Sequence, residues 1–328
     1  MGTRPEVLKL YPIIKRLHKP TVIFTGQHTT LASQMLDTFH IRPDYLLNVM
    51  IDNQELVGLT SRLAISIDEV LKKEKPDIVL VQGDTASAFI GAVIAYYNKI
   101  PVGHVEAGLR TNNIYNPFPE EGNRTMISHI ASYNFAPTER AKKNLLKENV
   151  KGKIIVTGNT GIDTLFEVLN NMKIEKKKQV LVTLHRRESF GNPLKDILDG
   201  ILSFVENLLD WEILFPVHPN PNVREIVYDK LRHSRVRLIN PLNYFQMVKA
   251  MAESSFIVTD SGGIIEEAPS LNRPVLIARD ETERPEAIEV GTAILVGTKA
   301  ENIELEMTAL ALNKEHYDSM INKGNPFG

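Results

Sequence analysis

Residues 104–124 read HVEAGLRTNNIYNPFPEEGNR, and how this stretch is read decides the fold. It follows the short apolar run Pro101-Val102-Gly103 and crosses a loop rich in Gly, Asn and Pro. It ends with Glu120 and Glu121, where a helix running to about Ser132 is expected. A buried strand that ends in polar residues, then a loop, then a helix start, is the repeating unit of an open α/β sheet, which binds ligands at the carboxyl ends of its strands. Glu106 and Glu120 bracket the loop, an arrangement that suits removal and return of a proton at one carbon. Structural uses compete with this reading. Acidic residues in a first helical turn offset the helix dipole, and Arg110 is an available partner for Glu106.

The same alternation extends in both directions. Short β-branched runs predict strands at 21–25, 77–81, 101–105, 133–136 and 154–157, with helices following from Thr30, Leu56, Thr85, Glu120, Thr138 and Gly161. Near-continuous apolar strands between helices mean a parallel sheet covered on both faces. Around Lys176-Lys177-Lys178 the pattern breaks, as a solvated linker would. It resumes with strands at 179–184, 212–216, 235–239, 256–259, 274–278 and 293–296, and helices at 193–209, 221–232, 244–253, 263–269 and 299–313. The expected architecture is α/β, two doubly wound Rossmann-type domains at 1–172 and 173–328 with a cleft between them. Gly2–Glu6 resembles a strand-to-helix turn without its strand, and Asn325-Pro326-Phe327-Gly328 a turn without its following helix.

Bulk properties narrow the function. With 328 residues, 43% hydrophobic and 24% charged, the chain has material for two ordinary cores. A net charge of −2 argues against general nucleic-acid binding. The absence of cysteine removes disulfides, thiolate metal sites and a cysteine nucleophile, and fits a reducing cytoplasm. No apolar run approaches the roughly 20 residues of a membrane span, and no signal peptide is visible. The histidines are scattered without ligand spacing, so no metal is expected. No Gly-x-Gly-x-x-Gly follows a strand, so no nicotinamide is expected either.

Other strand ends also carry chemistry. Asp260-Ser261-Gly262-Gly263 follows a strand and opens a helix, whose unpaired N–H groups and partial positive charge suit a phosphate; a plain helix cap explains it equally. Glu267 lies about one turn further on, within reach of ribose hydroxyls. Arg4 and Lys9 flank the start of the first helix and face either phosphate or solvent. Gly83-Asp84-Thr85 places a third carboxylate at a strand end, or a cap. His185-Arg186-Arg187 offers donors to an anion, or an exposed basic loop. His218, Arg279 and Arg284 follow later strands.

Together these segments are identifiable. Gly2-Thr3-Arg4-Pro5-Glu6, Gly83-Asp84-Thr85, residues 104–111, Pro119-Glu120-Glu121 with Asn123-Arg124, His185-Arg186-Arg187-Glu188, Asp260-Ser261-Gly262-Gly263 with Glu266-Glu267-Ala268, and residues 282–286 resemble, in order, the motifs of the non-hydrolysing UDP-N-acetylglucosamine 2-epimerases of bacteria and archaea. The resemblance implies a GT-B-like pair of Rossmann-type domains, a homodimer, and interconversion of UDP-GlcNAc and UDP-ManNAc without metal or redox cofactor. A proton leaves sugar carbon 2 as UDP leaves carbon 1, and a 2-acetamidoglucal is trapped before both return. By position, Asp84, Glu106 and Glu120 match the family's catalytic carboxylates; which takes and which gives the proton stays open. Arg4, His185, Ser261 and Gly262 match the groups that hold the departing diphosphate, whose growing charge needs fixed donors; the resemblance also counts His185 among the catalytic residues and Gly263 among the substrate-binding ones. Lys9 matches a position near the site, Glu267 the ribose contact and Arg284 a substrate-side arginine. Gln27, Gln54, Arg186 and His218 stand where many bacterial members hold an activating UDP-GlcNAc, although Thr30 replaces a usual glutamine. Sister activities also fit: epimerisation of a modified sugar nucleotide such as a diacetamido-uronate, hydrolysis to free ManNAc, or a truncated homologue that binds without turnover. A retaining glycosyltransferase needs fewer carboxylates than these.

Overall fold

The computed structural model describes every residue except Gln27, His28, Asp52, Asn53, Gln54, Asn171, Arg187, Glu188 and Glu283, with residues 29–31 described by backbone alone. It divides into two compact units, Met1–Thr164 with Phe327–Gly328, and Leu165–Pro326.

The first unit runs α1 (Arg4–Arg16), β1 (Ile23–Phe24), α2 (Thr29–Thr38), β2 (Tyr45–Leu46), α3 (Leu56–Glu74), β3 (Val79–Gln82), α4 (Ala86–Tyr97), β4 (Val102–Val105), α5 (Glu120–Ile130), β5 (Tyr133–Ala136), α6 (Glu139–Lys147), β6 (Lys153–Val156) and the start of α7 (Thr160–Leu169). Strands β3-β4-β5-β6 form one parallel sheet in chain order, and β1-β2 a separate parallel pair. Met1 lies along β1: its ammonium donates to the Ile23 carbonyl at 2.9 Å, and its own carbonyl accepts from Thr25 N–H at 2.9 Å. Helix α3 forms because Leu59, Leu63, Ile67, Val70 and Leu71 recur on one face, which is buried. Its neighbour α4 is apolar on nearly all sides and starts at Thr85, whose hydroxyl accepts the Ala88 N–H.

The second unit runs β7 (Gln179–Thr183), α8 (Asn192–Asn207), β8 (Glu212–Pro216), α9 (Pro221–Lys230), β9 (Val236–Ile239), α10 (Tyr244–Glu253), β10 (Phe256–Thr259), α11 (Gly262–Glu267), a 3-10 turn (Ala268–Leu271), β11 (Val275–Ile277), α12 (Pro285–Val290), β12 (Ala293–Leu295), α13 (Ala300–Leu312) and α14 (Lys314–Ile321). Its six parallel strands are ordered β12-β11-β10-β7-β8-β9. The chain thus winds outward one way from β7 and then the other way from β10. This is the Rossmann order, with its topological switch point between β7 and β10. Every residue of β7 and β10 is buried, as a central strand covered on both faces requires. Phe204, Trp211, Phe215 and Phe256 anchor the core. Gly200 in α8 permits close approach of α13: a Cβ there would lie 2.5 Å from the Ala300 carbonyl oxygen.

The α/β architecture with parallel sheets is as the sequence predicts. Four elements depart from the sequence expectation, one of them the short helix α12. Strand β2 is only two residues long, and α14 carries the mixed sequence Lys-Glu-His-Tyr-Asp-Ser-Met-Ile with one buried residue, Met320. The 3-10 turn takes over from α11 at Ala268, where a longer helix is predicted. Among the described residues no helix is long and apolar enough to cross a membrane.

Candidate active site

In the first unit the polar cluster is built at the carboxyl ends of β3 and β4. Parallel pairing sets Gln82 beside Val105, so the turns that follow emerge together. Gly83 takes φ +69° and Glu106 φ +67°, the left-handed region that non-glycine residues rarely occupy. Gly108, at φ +91°, brings the chain so near α6 that a Cβ would sit 2.3 Å from the Ala141 carbonyl oxygen.

Glu106 is bonded on both oxygens, by the Lys9 ammonium from α1 and the Gln82 side-chain amide from β3. Its simpler partner is otherwise engaged: Arg110 forks onto Glu148, at 2.7 and 2.8 Å. The expected Arg110–Glu106 pair is therefore not formed. Lys9, considered alone a solvated cation, joins the cluster. Asp84 receives the Arg124 guanidinium on Oδ2 at 2.6 Å, and its backbone carbonyl accepts from the Asn123 amide at 2.9 Å. Burial pushes the Asp84 carboxyl up to about 6, against the pull of Arg124; the charges of Glu106 and Glu120 add to the rise, and Lys9 opposes it. Asp84 thus lies within the fields of both Glu106 and Glu120.

Glu121, buried and one residue from Glu120, instead has a structural task. Its Oε1 accepts the N–H groups of Thr111 and Asn112, at 2.9 and 3.1 Å, and pins the loop before α5. His104 is fully buried, and its Nε2 meets the Gly83 carbonyl at 2.8 Å. Burial pushes its pKa down to about 4, the Gly83 bond opposing and the charges of Arg110 and Arg124 assisting. The ring is neutral in the working range, so the carbonyl fixes the proton on Nε2. Arg4 opens α1, half-buried. Glu6 ties that helix end to the cluster: it accepts from Gly2 N–H, Thr3 N–H and the Thr3 hydroxyl, and on its other oxygen from the Thr85 hydroxyl at 3.2 Å.

The second unit collects donors at its switch point. Thr183 and Thr259 are register partners, so the residues following β7 and β10 meet. The Asp260 carboxylate, 0% exposed, accepts the backbone N–H groups of His185 and Arg186 at 2.8 Å each and faces His185 Nδ1 at 2.8 Å. Burial pushes Asp260 up, but His185 and those two N–H groups hold it below the ordinary carboxylate value. Asp260 is thus the partner of a histidine rather than a helix cap. Ser261 occupies the cap position of α11 but makes no capping bond with its side chain; Gly262 is buried and Gly263 exposed. Arg284 lies over Gly262, where a Cβ would meet its guanidinium at 3.6 Å, and donates Nε to Glu266 at 2.5 Å. Glu267 is half-buried at the end of α11. His218 is exposed, with its ring 5.8 Å from that of His185. Burial, then the neighbouring His185 charge, lower its pKa. Gln27 and Gln54 lie outside the described residues.

Sequence reading did not assign Gln82, Arg124 or the Asp260–His185 pairing. The signal for the last is strand order: once β7 and β10 are adjacent, His185 and Asp260 must meet.

Residues 14–328 match the family model described as UDP-N-acetylglucosamine 2-epimerase. A protein of that name from Bacillus subtilis is 46% identical, the alignment covering 100% of this chain and 90% of the relative. Among solved structures, UDP-GlcNAc 2-epimerase from Neisseria meningitidis bound to UDP-GlcNAc aligns at 44% identity and a TM-score of 0.88, covering 100% of this chain and 94% of the other. The Methanocaldococcus jannaschii UDP-GlcNAc 2-epimerase in complex with UDP-GlcNAc and UDP aligns at 38% identity and a TM-score of 0.78, with coverage of 100% and 94%. At that identity over the whole length, the chain belongs to the UDP-N-acetylglucosamine 2-epimerase family.

Proposed function

We propose that this chain interconverts UDP-GlcNAc and UDP-ManNAc by inverting sugar carbon 2. One carboxylate of the Asp84–Glu106–Glu120 group removes the proton at carbon 2 while the carbon 1–oxygen bond to UDP breaks, leaving bound 2-acetamidoglucal and UDP. UDP then re-adds at carbon 1 as a second carboxylate delivers a proton to the opposite face of carbon 2. Two faces need two acid/base groups, and a group poised near neutrality serves best; the Asp84 carboxyl, raised to about 6, is such a group. The nucleotide falls to the second unit. His185, Ser261, Gly262, Gly263 and Arg284 supply fixed donors for the diphosphate as its charge grows, and Glu267 takes the ribose hydroxyls.

The observation that carries this reading is the grouping of three carboxylates with Lys9 and Arg124 at one set of strand ends. Incubation of the chain with UDP-GlcNAc in deuterated water, without added metal or nicotinamide, is the test. Expected is UDP-ManNAc, with deuterium at carbon 2 of both sugar nucleotides. Free ManNAc with UDP would mark a hydrolase, and UDP binding without exchange a non-catalytic binder; either overturns the reading.

Two further points belong to the same proposal. Arg186 and His218, with Gln27 and Gln54, hold a second, activating UDP-GlcNAc, which sigmoidal substrate dependence would reveal. The chain acts in the cytoplasm as a homodimer. In support of the dimer, the mutually packed α3 and α4 carry Val57, Ile65, Tyr96 and Tyr97, at 74%, 63%, 57% and 71% exposure, more apolar surface than a lone helix pair needs. Sedimentation equilibrium at the monomer mass would refute it.

A further inference from the structure

Helix α5 grips the turn that carries Asp84 at several points. Asn123 holds the Asp84 carbonyl at 2.9 Å. Arg124, one residue on, reaches the Asp84 carboxylate at 2.6 Å. Ser128, a further turn along, stands 3.5 Å from Nδ1 of His104, whose Nε2 holds the Gly83 carbonyl. Arg124 is itself braced. Its NH1 lies 3.5 Å from Oε2 of Glu121, the buried carboxylate whose other oxygen pins Thr111 and Asn112. Its Nε is buried with no hydrogen-bond partner. A guanidinium takes so costly a position only when its charge is matched, and the matching charge is divided between Glu121 and Asp84.

We propose that Arg124 is a positioning residue for the epimerisation: braced by Glu121, it orients the Asp84 carboxylate and supplies the positive charge against which Asp84 exchanges its proton. The inference rests on the reaction proposed above and deepens it. The charged groups facing Asp84 are Arg124 and Glu120 from α5, Glu106 from the end of β4 and Lys9 from α1. Two are carboxylates and one cation, Lys9, is already bonded to Glu106. Arg124 is therefore the charge that keeps Asp84 from binding its proton too tightly to release.

The test is the pH dependence of kcat/KM for the wild type, R124Q, R124K and N123A, each checked for folding by thermal melting. The wild type should show a limb near pH 6, where Asp84 titrates. In R124Q that limb moves up by about one to three pH units. R124K, which keeps the charge but loses the planar fork, returns it part of the way. N123A, which frees the Asp84 backbone without changing charge, lowers the rate and leaves the limb in place. A limb that stays put in R124Q, or moves as far in N123A, overturns the role, for a merely structural arginine would lower activity at every pH alike. If R124Q does not fold, R124K decides by the same criterion. A wild-type chain without turnover sinks the reaction and this role together; an active wild type with an unmoved R124Q limb sinks the role alone.

Discussion

At the strand ends of the first unit, carboxylates gather and a lysine and an arginine temper them; at those of the second, backbone N–H groups, histidines and an arginine gather, and the buried carboxylates Asp260 and Glu266 temper them. Both sets grow from parallel β-turn-helix units, so topology fixes where a site sits while side chains fix its sign. The two aspartates show the difference most clearly. Asp84 has one guanidinium, one ammonium and two carboxylates in its field, and burial raises its pKa to about 6. Asp260 is 0% exposed, yet two backbone N–H groups and His185 pull it below its ordinary value. Burial alone does not set a carboxylate's proton affinity; its count of donors does.

The largest expected effect breaks the comparison if the division of labour is wrong. E106Q should slow epimerisation by roughly 10²- to 10⁴-fold while UDP affinity, measured by calorimetry, stays unchanged. A parallel loss of UDP affinity would mean that the acidic cluster also holds the nucleotide. Next, the aspartates should respond to pH with opposite signs. For Asp84, raised on folding, the stabilising contribution is present below the unfolded value of about 4 and lost as pH rises through about 6. The stability of D84N relative to wild type should accordingly climb by about 2–3 kcal/mol between pH 4 and pH 8. For Asp260, lowered on folding, the contribution is present above the ordinary carboxylate range and lost as pH falls below it. D260N should be less stable than wild type at pH 7, with the deficit closing in acid. Melting curves across pH that run in parallel for the two variants would contradict this. The smallest effect concerns the ribose: E267Q should weaken UDP binding by about 1 kcal/mol and leave binding of 2′-deoxy-UDP nearly unchanged. Equal losses for both would remove Glu267 from the ribose.

Much of this was legible in the sequence, for a physical reason. A strand buried on both faces must be apolar along its length, so β7 and β10 stand out as runs bounded by turns. Asp84, Glu106, His185 and Ser261 each lie within two residues of the end of a strand. Pairings between segments were not legible. That Glu106 takes Lys9 and Gln82, while Arg110 turns to Glu148, depends on which helix start lies beside which strand end. That Asp260 faces His185 depends on strand order. Nor does a strand as short as Tyr45–Leu46, or a helix as polar as α14, carry enough periodicity to be seen without its neighbours.

Glu106 adopts a backbone conformation in which glycine would rest more easily. On the proposed reaction, proton transfer requires an acidic side chain at that corner against its own steric preference. In a lineage released from the need to epimerise, glycine or asparagine should spread at position 106 early, relieving the chain as the chemistry is abandoned. If the proposed role holds, residue identity there would serve as a genetic marker that separates working descendants from relics.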